Sequence, residues 1–140
     1  MRVVVDTNQL LTCFSARSKT HWLWQAFQNQ QFELCVTTEI LDEYAEIFEQ
    51  KYNFEAAELV LDILIESPNV LLIKEYFYWE LIKADPDDNK FVDCALMANA
   101  QYIVTEDRHF NVLKKIPFPS INVLNLNEFK NLLNENPRLL

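Results

Sequence analysis

The sequence contains no glycine, and that absence removes whole classes of function. A Rossmann dinucleotide turn and a P-loop both need glycine where backbone comes close to phosphate, so neither is available. Long apolar runs are missing too. Half of the residues are hydrophobic, yet no run reaches the roughly 18 residues of a membrane span. Met1-Arg2 leads straight into Val3-Val4-Val5-Asp6, too short and too soon charged for a signal peptide. Cysteine is scarce: Cys13, Cys35 and Cys94 are odd in number and set in apolar surroundings. They lack the spacing of a zinc site, which predicts reduced core thiols. The expectation is a cytoplasmic protein with no membrane association, a single domain over residues 1–140, large enough to bury a core.

Basic residues are also in short supply, 12 Lys and Arg against 21 Asp and Glu, for a formal net charge of −9. Affinity for nucleic acid comes from cations neutralising phosphates, so unassisted binding is disfavoured. An acidic chain can still cut RNA or DNA if its carboxylates hold divalent cations that meet the phosphate. Solvated surface charge accounts for most of the acids.

What is present alternates strand and helix. Val3-Val4-Val5 reads as a strand buried on both faces, ending at Asp6-Thr7-Asn8. Asp6 therefore stands at the carboxyl end of a central strand, where open α/β sheets place ligands, although it could simply cap the next helix. His21 to Gln30 reads as a helix with Trp22, Leu23, Ala26 and Phe27 inward and His21 unpaired. Phe32 to Val36 is a strand, and Thr37 or Thr38 caps a helix with Ile40, Leu41, Tyr44, Ile47 and Phe48 on its buried stripe. At about 100° per residue Asp42 and Glu46 point away from that stripe and Glu43 lies on its flank. Phe54 to Glu66 is a helix apolar around most of its circumference, which predicts deep burial or a subunit interface. Val70 to Ile73 is the third strand. Tyr76, Phe77, Tyr78 and Trp79 could stack bases, but packing in a core or an interface is the favoured reading. Later elements are a helix over Asp107 to Lys115, a strand over Ile121 to Leu124 and a closing helix over Asn127 to Leu133. Short loops between them predict a parallel, doubly wound sheet.

The acidic stretch from Asp85 to Asp107 is the most informative. Pro86 opens a helix that Asp85 can cap, and Phe91, Val92, Ala95 and Leu96 form its inward stripe. Measured from Asp88, these four fall within roughly 80°, so Asp88 shares the stripe; Asp87 lies about 100° aside and Asp93 about 140° round, toward solvent. Tyr102-Ile103-Val104 is the next strand, and Thr105-Glu106-Asp107 falls at its end. Oxygen donors suit a hard Mg²⁺ or Mn²⁺ ion, which activates water and stabilises an in-line displacement at phosphorus. Thr7, Asn8 and Thr105 are candidates to orient such ligands. Arg17, Lys19, Lys90, Arg108, Lys114 and Lys115 flank the motifs as candidate phosphate contacts.

These motifs carry a resemblance. Val3-Val4-Val5-Asp6-Thr7-Asn8, Glu39-Ile40-Leu41-Asp42-Glu43-Tyr44, Asp85 to Phe91 followed by Ala95, and Tyr102 to Asp107 resemble, in order, the four acidic motifs of the PIN-domain nucleases. The pattern looks closest to the PIN-family toxin components of bacterial toxin–antitoxin systems, relatives of the VapC-type toxins. The resemblance implies a three-layer α/β/α sandwich around a five-stranded parallel sheet. It also implies Mg²⁺- or Mn²⁺-dependent endoribonuclease activity on an RNA substrate, with Asp6, Glu43, Asp88 and Asp107 as catalytic metal ligands, a partner antitoxin and a homodimer. The sequence departs from the pattern at three places. Glu106 stands where many relatives have glycine, His109 where many have a further acid, and Asn99 where glycine often ends the helix; asparagine tolerates the left-handed backbone needed there. Two other readings compete. A phospho-acceptor receiver domain needs an Asp after its third strand, and Val70-Leu71-Leu72-Ile73-Lys74-Glu75 offers none. A PIN-like RNA- or protein-binding module with weak or lost catalysis is the other, against which the retention of all four acids counts.

Overall fold

The computed structural model describes residues 1–74, 79–82, 85–117 and 119–135. Five parallel strands form the sheet: β1 (Arg2–Val5), β2 (Glu33–Val36), β3 (Val70–Leu72), β4 (Tyr102–Val104) and β5 (Val123–Leu124), in the order β3-β2-β1-β4-β5. Val3, Val4 and Val5 are at most 1% exposed, as an apolar run at the centre of a parallel sheet should be. Helices α1 (Thr7–Cys13), α2 (His21–Gln28), α3 (Thr38–Lys51), α4 (Phe54–Glu66), α5 (Asn89–Ala98) and α6 (Leu126–Glu135) flank it. The expected parallel α/β sheet is therefore found. β5 begins two residues later than the sequence suggests, and 3₁₀ geometry over Arg108–Lys115 replaces the helix expected over Asp107 to Lys115.

The winding reverses between β1 and β4. The chain runs outward from β1 through β2 to β3, then returns to the other side of β1 for β4 and β5. Such a reversal opens a crevice at the carboxyl ends of the two strands. β1 and β4 are in register with Val5 beside Val104, so the residues that follow them, Asp6 and Thr105, emerge side by side.

Without glycine, the chain closes two helices by left-handed residues that carry side chains. Gln30 (φ 59°) follows α2 and Asn99 (φ 53°) follows α5. The N–H of Gln31 reaches Ala26 O and that of Gln30 reaches Phe27 O. Ala100 N–H to Ala95 O and Asn99 N–H to Leu96 O repeat the pattern, which is the Schellman closure. The second closure delivers the chain from α5 into β4, so the expectation for Asn99 holds.

Three expectations are corrected. His21 does have a partner: its Nδ1 lies 2.8 Å from Cys13 O, across the α1–α2 connection. The helix does not begin at Pro86; a 3₁₀ turn over Pro86–Asp88 precedes α5, with Asp85 Oδ1 accepting from Asp87 N–H at 3.2 Å. Asp93 does not face solvent. It is 2% exposed, because residues 79–82 fold over α5: Asp93 Oδ1 accepts from Trp79 N–H at 3.0 Å, and Asn89 exchanges two bonds with the Ile82 backbone at 2.8 Å each. Of the aromatic run, Tyr76, Phe77 and Tyr78 lie outside the described residues; Trp79 is exposed.

Helix α4 packs on α3 through Ala57, Val60 and Leu64 and leaves Phe54, Leu59 and Ile65 exposed. Of the two fates expected for this apolar helix, deep burial and a subunit interface, deep burial is not what is found: one face stays exposed in the single chain. Among the described residues no helix is long and apolar enough to cross a membrane.

Candidate active site

Four chain segments converge on the crevice between β1 and β4. Asp6 ends β1 and begins α1, but its side chain does not cap that helix. It is 6% exposed and its Oδ2 accepts from Thr105 Oγ1 at 2.8 Å. Thr105 Oγ1 in turn accepts from Asp107 N–H at 3.0 Å. One hydroxyl thus fixes the acid of β1 to the backbone of the acid after β4.

Glu43 arrives from α3. Thr37 caps that helix by accepting from Ile40 N–H at 3.2 Å, and the Tyr44 hydroxyl donates to Val5 O at the end of β1. With Tyr44 buried inward, Glu43 is half-buried on the flank while Asp42 and Glu46 are exposed, as its helical position predicts. Its carboxylate accepts from Thr7 Oγ1 and pairs with Lys90 Nζ at 2.9 Å. Lys90 is therefore turned inward onto an acid, with its ammonium 5.5 Å from the Phe91 ring centre.

Asp88 closes the 3₁₀ turn at the head of α5 and is 8% exposed, and its buried Oδ2 has no hydrogen-bond partner among the described residues. Its pKa is pushed up to about 7, first by burial and then by the charges of Asp107, Asp85 and Asp6. Burial also raises Asp6, opposed by its bonds to Thr105 and the Thr7 backbone and reinforced by Asp107 and Glu43. Mutual repulsion of this kind means that Asp6, Glu43, Asp85, Asp88 and Asp107 share one field. The four acids picked out in the sequence are brought together.

Other candidates divide. Thr7 and Thr105 bond to the acids, whereas Asn8 is exposed and its carbonyl accepts from Thr12 Oγ1 at 3.0 Å. Arg17, Lys19, Arg108, Lys114 and Lys115 are exposed. Arg108 and Lys114 line a cleft of about 250 Å³ that also includes Thr105, Asp107, Asn111 and Asn125 and so adjoins the acids. Glu106 lies away from the acids' bonds and accepts from Leu126 N–H at 2.8 Å, tying the end of β4 to α6.

Residues 2–109 match the family described as PIN domain. The chain belongs to the PIN-domain family. Its backbone resembles a chain of VapBC2 from Rickettsia felis bound to a DNA fragment from their promoter, with TM-score 0.63 and 17% identity over 89% of this chain and 98% of that one. VapC20 of Mycobacterium tuberculosis, a sarcin-ricin loop cleaving toxin, gives TM-score 0.61 and 14% identity over 78% and 92%. FitAcB of Neisseria gonorrhoeae gives 0.59 and 12% over 89% and 97%. At these identities the likeness concerns the fold. No curated protein sequence matches the chain.

The acids of this PIN domain fit a hard divalent cation. A buried carboxylate oxygen without a donor, as at Asp88, is costly unless a cation meets it, and clustered carboxylates are the donor set that Mg²⁺ and Mn²⁺ take. One neighbour of the acids was not singled out in the sequence as a site residue. His109 Nδ1 stands 3.4 Å from Asp107 Oδ1, 3.5 Å from Asp88 Oδ2 and 3.9 Å from Asp85 Oδ2. The available signal was its spacing: two residues beyond Asp107 in a tight turn, it comes back over the strand end. Asp85, read as a cap, belongs to the same group.

Proposed function

We propose that this PIN-domain protein is a metal-dependent endoribonuclease that hydrolyses RNA phosphodiester bonds as the toxin of a toxin–antitoxin pair. Its cofactor is Mg²⁺ or Mn²⁺, held by Asp6, Glu43, Asp88 and Asp107. The observation that carries this reading is the unbonded, buried Oδ2 of Asp88 among these carboxylates. When bound, the ion supplies an activated water and neutralises charge at the phosphate.

The chain's own residues prepare that site. Thr105 orients Asp6 and the Asp107 backbone together, so these carboxylates need little reorganisation on binding. Thr7 and Lys90 hold Glu43, and the Lys90 ammonium offers positive charge to a phosphate at the same carboxylate. Arg108 and Lys114 give the adjoining cleft the cations that an RNA backbone needs, and Arg17 and Lys19 add exposed charge on the α1–α2 connection. RNA as the substrate class is supported by likeness to a toxin that cleaves the sarcin-ricin loop. An antitoxin partner is supported by likeness to VapBC assemblies. The exposed apolar face of α4 supports association, including a homodimer.

The test is cleavage of a mixed RNA pool by the purified chain with Mg²⁺, with Mn²⁺ and in excess EDTA. Cleavage is expected only with metal, and to fall by about a hundredfold or more in a folded Asp88→Asn variant. Equal cleavage in EDTA would sink the reading. Silence with every metal on varied RNA would move the protein to a binding module.

A further inference from the structure

We infer that His109 is itself a ligand of the ion in this site, so that the site takes mixed nitrogen and oxygen donors and prefers Mn²⁺ to Mg²⁺. This rests on the reading of the acidic cluster as a metal site and adds to it an imidazole and, beside it, Asp85.

The geometry favours ligation over simple pairing. The three separations from His109 Nδ1, 3.4 Å to Asp107, 3.5 Å to Asp88 and 3.9 Å to Asp85, exceed the roughly 2.7–3.2 Å of a sound N–H···O bond. The two shorter ones suit neighbouring ligands of one ion, while Asp85 stands farther from the imidazole than adjacent ligands do. Donors each about 2.1 Å from a metal stand about 3.0 Å apart at right angles and about 3.4 Å apart at the tetrahedral angle. Asp85, Asp88 and His109 can bring one donor atom each within 4.8 Å of the others.

A second observation is independent of this spacing. Asp88 is 8% exposed and its Oδ2, the oxygen that faces the imidazole, is buried and has no hydrogen-bond partner among the described residues. The imidazole, 3.5 Å away, opposes the rise of the Asp88 pKa but stands beyond the distance of a sound hydrogen bond. A cation between the two would satisfy both, and a buried carboxylate oxygen otherwise goes uncompensated.

The local fold holds the ring in place. Asp107 Oδ1 accepts from His109 N–H at 2.9 Å, which turns the residue back over the strand end. Metal choice follows from ligand type. Mg²⁺ demands oxygen and water in a tight octahedron, whereas Mn²⁺, which also takes oxygen donors, belongs to the first-row transition series and accepts an imidazole nitrogen more readily than Mg²⁺ does.

The experiment uses the full chain with Mn²⁺ and Mg²⁺ as the probes. Pulsed electron paramagnetic resonance reads nitrogen coupled to bound Mn²⁺, and calorimetry gives both affinities for the wild type, His109→Gln and Asp88→Asn. His109 is exposed, so the metal-free His109→Gln variant is expected to melt as the wild type does. The wild type should show nitrogen modulation that His109→Gln lacks. In that variant Mn²⁺ affinity should fall about tenfold or more, with Mg²⁺ affinity changed less than about threefold. Bound Mn²⁺ without nitrogen modulation, or modulation and affinities unchanged in His109→Gln, overturns the role of His109. If Asp88→Asn still abolishes binding in that case, the acidic metal site survives. Wild-type protein that binds neither ion overturns both.

Discussion

A carboxylate sealed between a helix and its covering strap has to be neutral or well bonded, and among the described residues Asp93 has one bond, from Trp79 N–H. Burial raises its pKa above the ordinary 3.8, the Trp79 bond opposes that rise, and Glu39 and Glu80 add to it. The folded state therefore favours the protonated acid. Its contribution to stability is fully present below the unfolded value of 3.8 and is lost as the pH rises through the raised folded value. Asparagine keeps an acceptor oxygen for Trp79 and cannot ionise. Asp93→Asn should thus melt at or above the wild-type temperature at neutral pH, with the gain shrinking as the pH falls toward 4, a range set by the ordinary carboxylate value. Thermal melts of both proteins across that range check it. A gain that grows on acidification would show that the carboxylate is bonded more strongly than burial penalises it. Cleavage should persist in this variant, since Asp93 is bonded to Trp79 rather than to the acids of the crevice.

Helix α3 shows how an element, rather than a residue, sets the site. Tyr44, fully buried and held protonated by that burial, bonds the end of β1 at Val5 O, one residue before Asp6. That bond fixes the height of α3 against β1 and therefore the reach of Glu43. Tyr44→Phe keeps the ring and removes the hydroxyl, leaving the carbonyl short of a donor. A loss of about 1–3 kcal/mol is expected, read as a lower midpoint in denaturant; an unchanged midpoint would mean that the bond is not needed to seat α3. This element was legible in the sequence, since the apolar spacing of Ile40, Tyr44 and Phe48 leaves Glu43 only the flank. The Val3-Val4-Val5-Asp6 strand end was legible for the same reason: burial on both faces has no other use for a charge. Asp93 and His109 were not. A helical wheel knows the face that meets the sheet but not the strap of residues 79–82 that covers the opposite face, and the wheel's origin at Asp88 falls in a 3₁₀ turn before the helix begins. His109 depends on how a turn folds back, which no period records.

At the scale of the whole molecule the unbalanced feature is charge set around an uncovered apolar face. The chain carries −9, and on α4 the exposed Phe54, Leu59 and Ile65 are interleaved with exposed Glu55, Glu58, Asp62 and Glu66. Tyr52, just before α4, and Leu72, at the end of edge strand β3, are also exposed. If two copies meet through α4, burial of apolar area drives association while like charges on the two rims oppose it. Added salt screens the second effect and leaves the first, since the screening length falls from roughly 14 Å at about 50 mM to under 5 Å at about 500 mM. The proposed homodimer should therefore tighten with salt at tens of micromolar, roughly the range of a moderate interface. Sedimentation equilibrium at the two ionic strengths reads this directly. Replacing Leu59 and Ile65 together by glutamate should leave a folded monomer at both, because neither side chain belongs to the buried core. A dimer that weakens with salt, or that persists in the double variant, would assign self-association to another surface and leave α4 to a basic partner, whose binding salt should weaken.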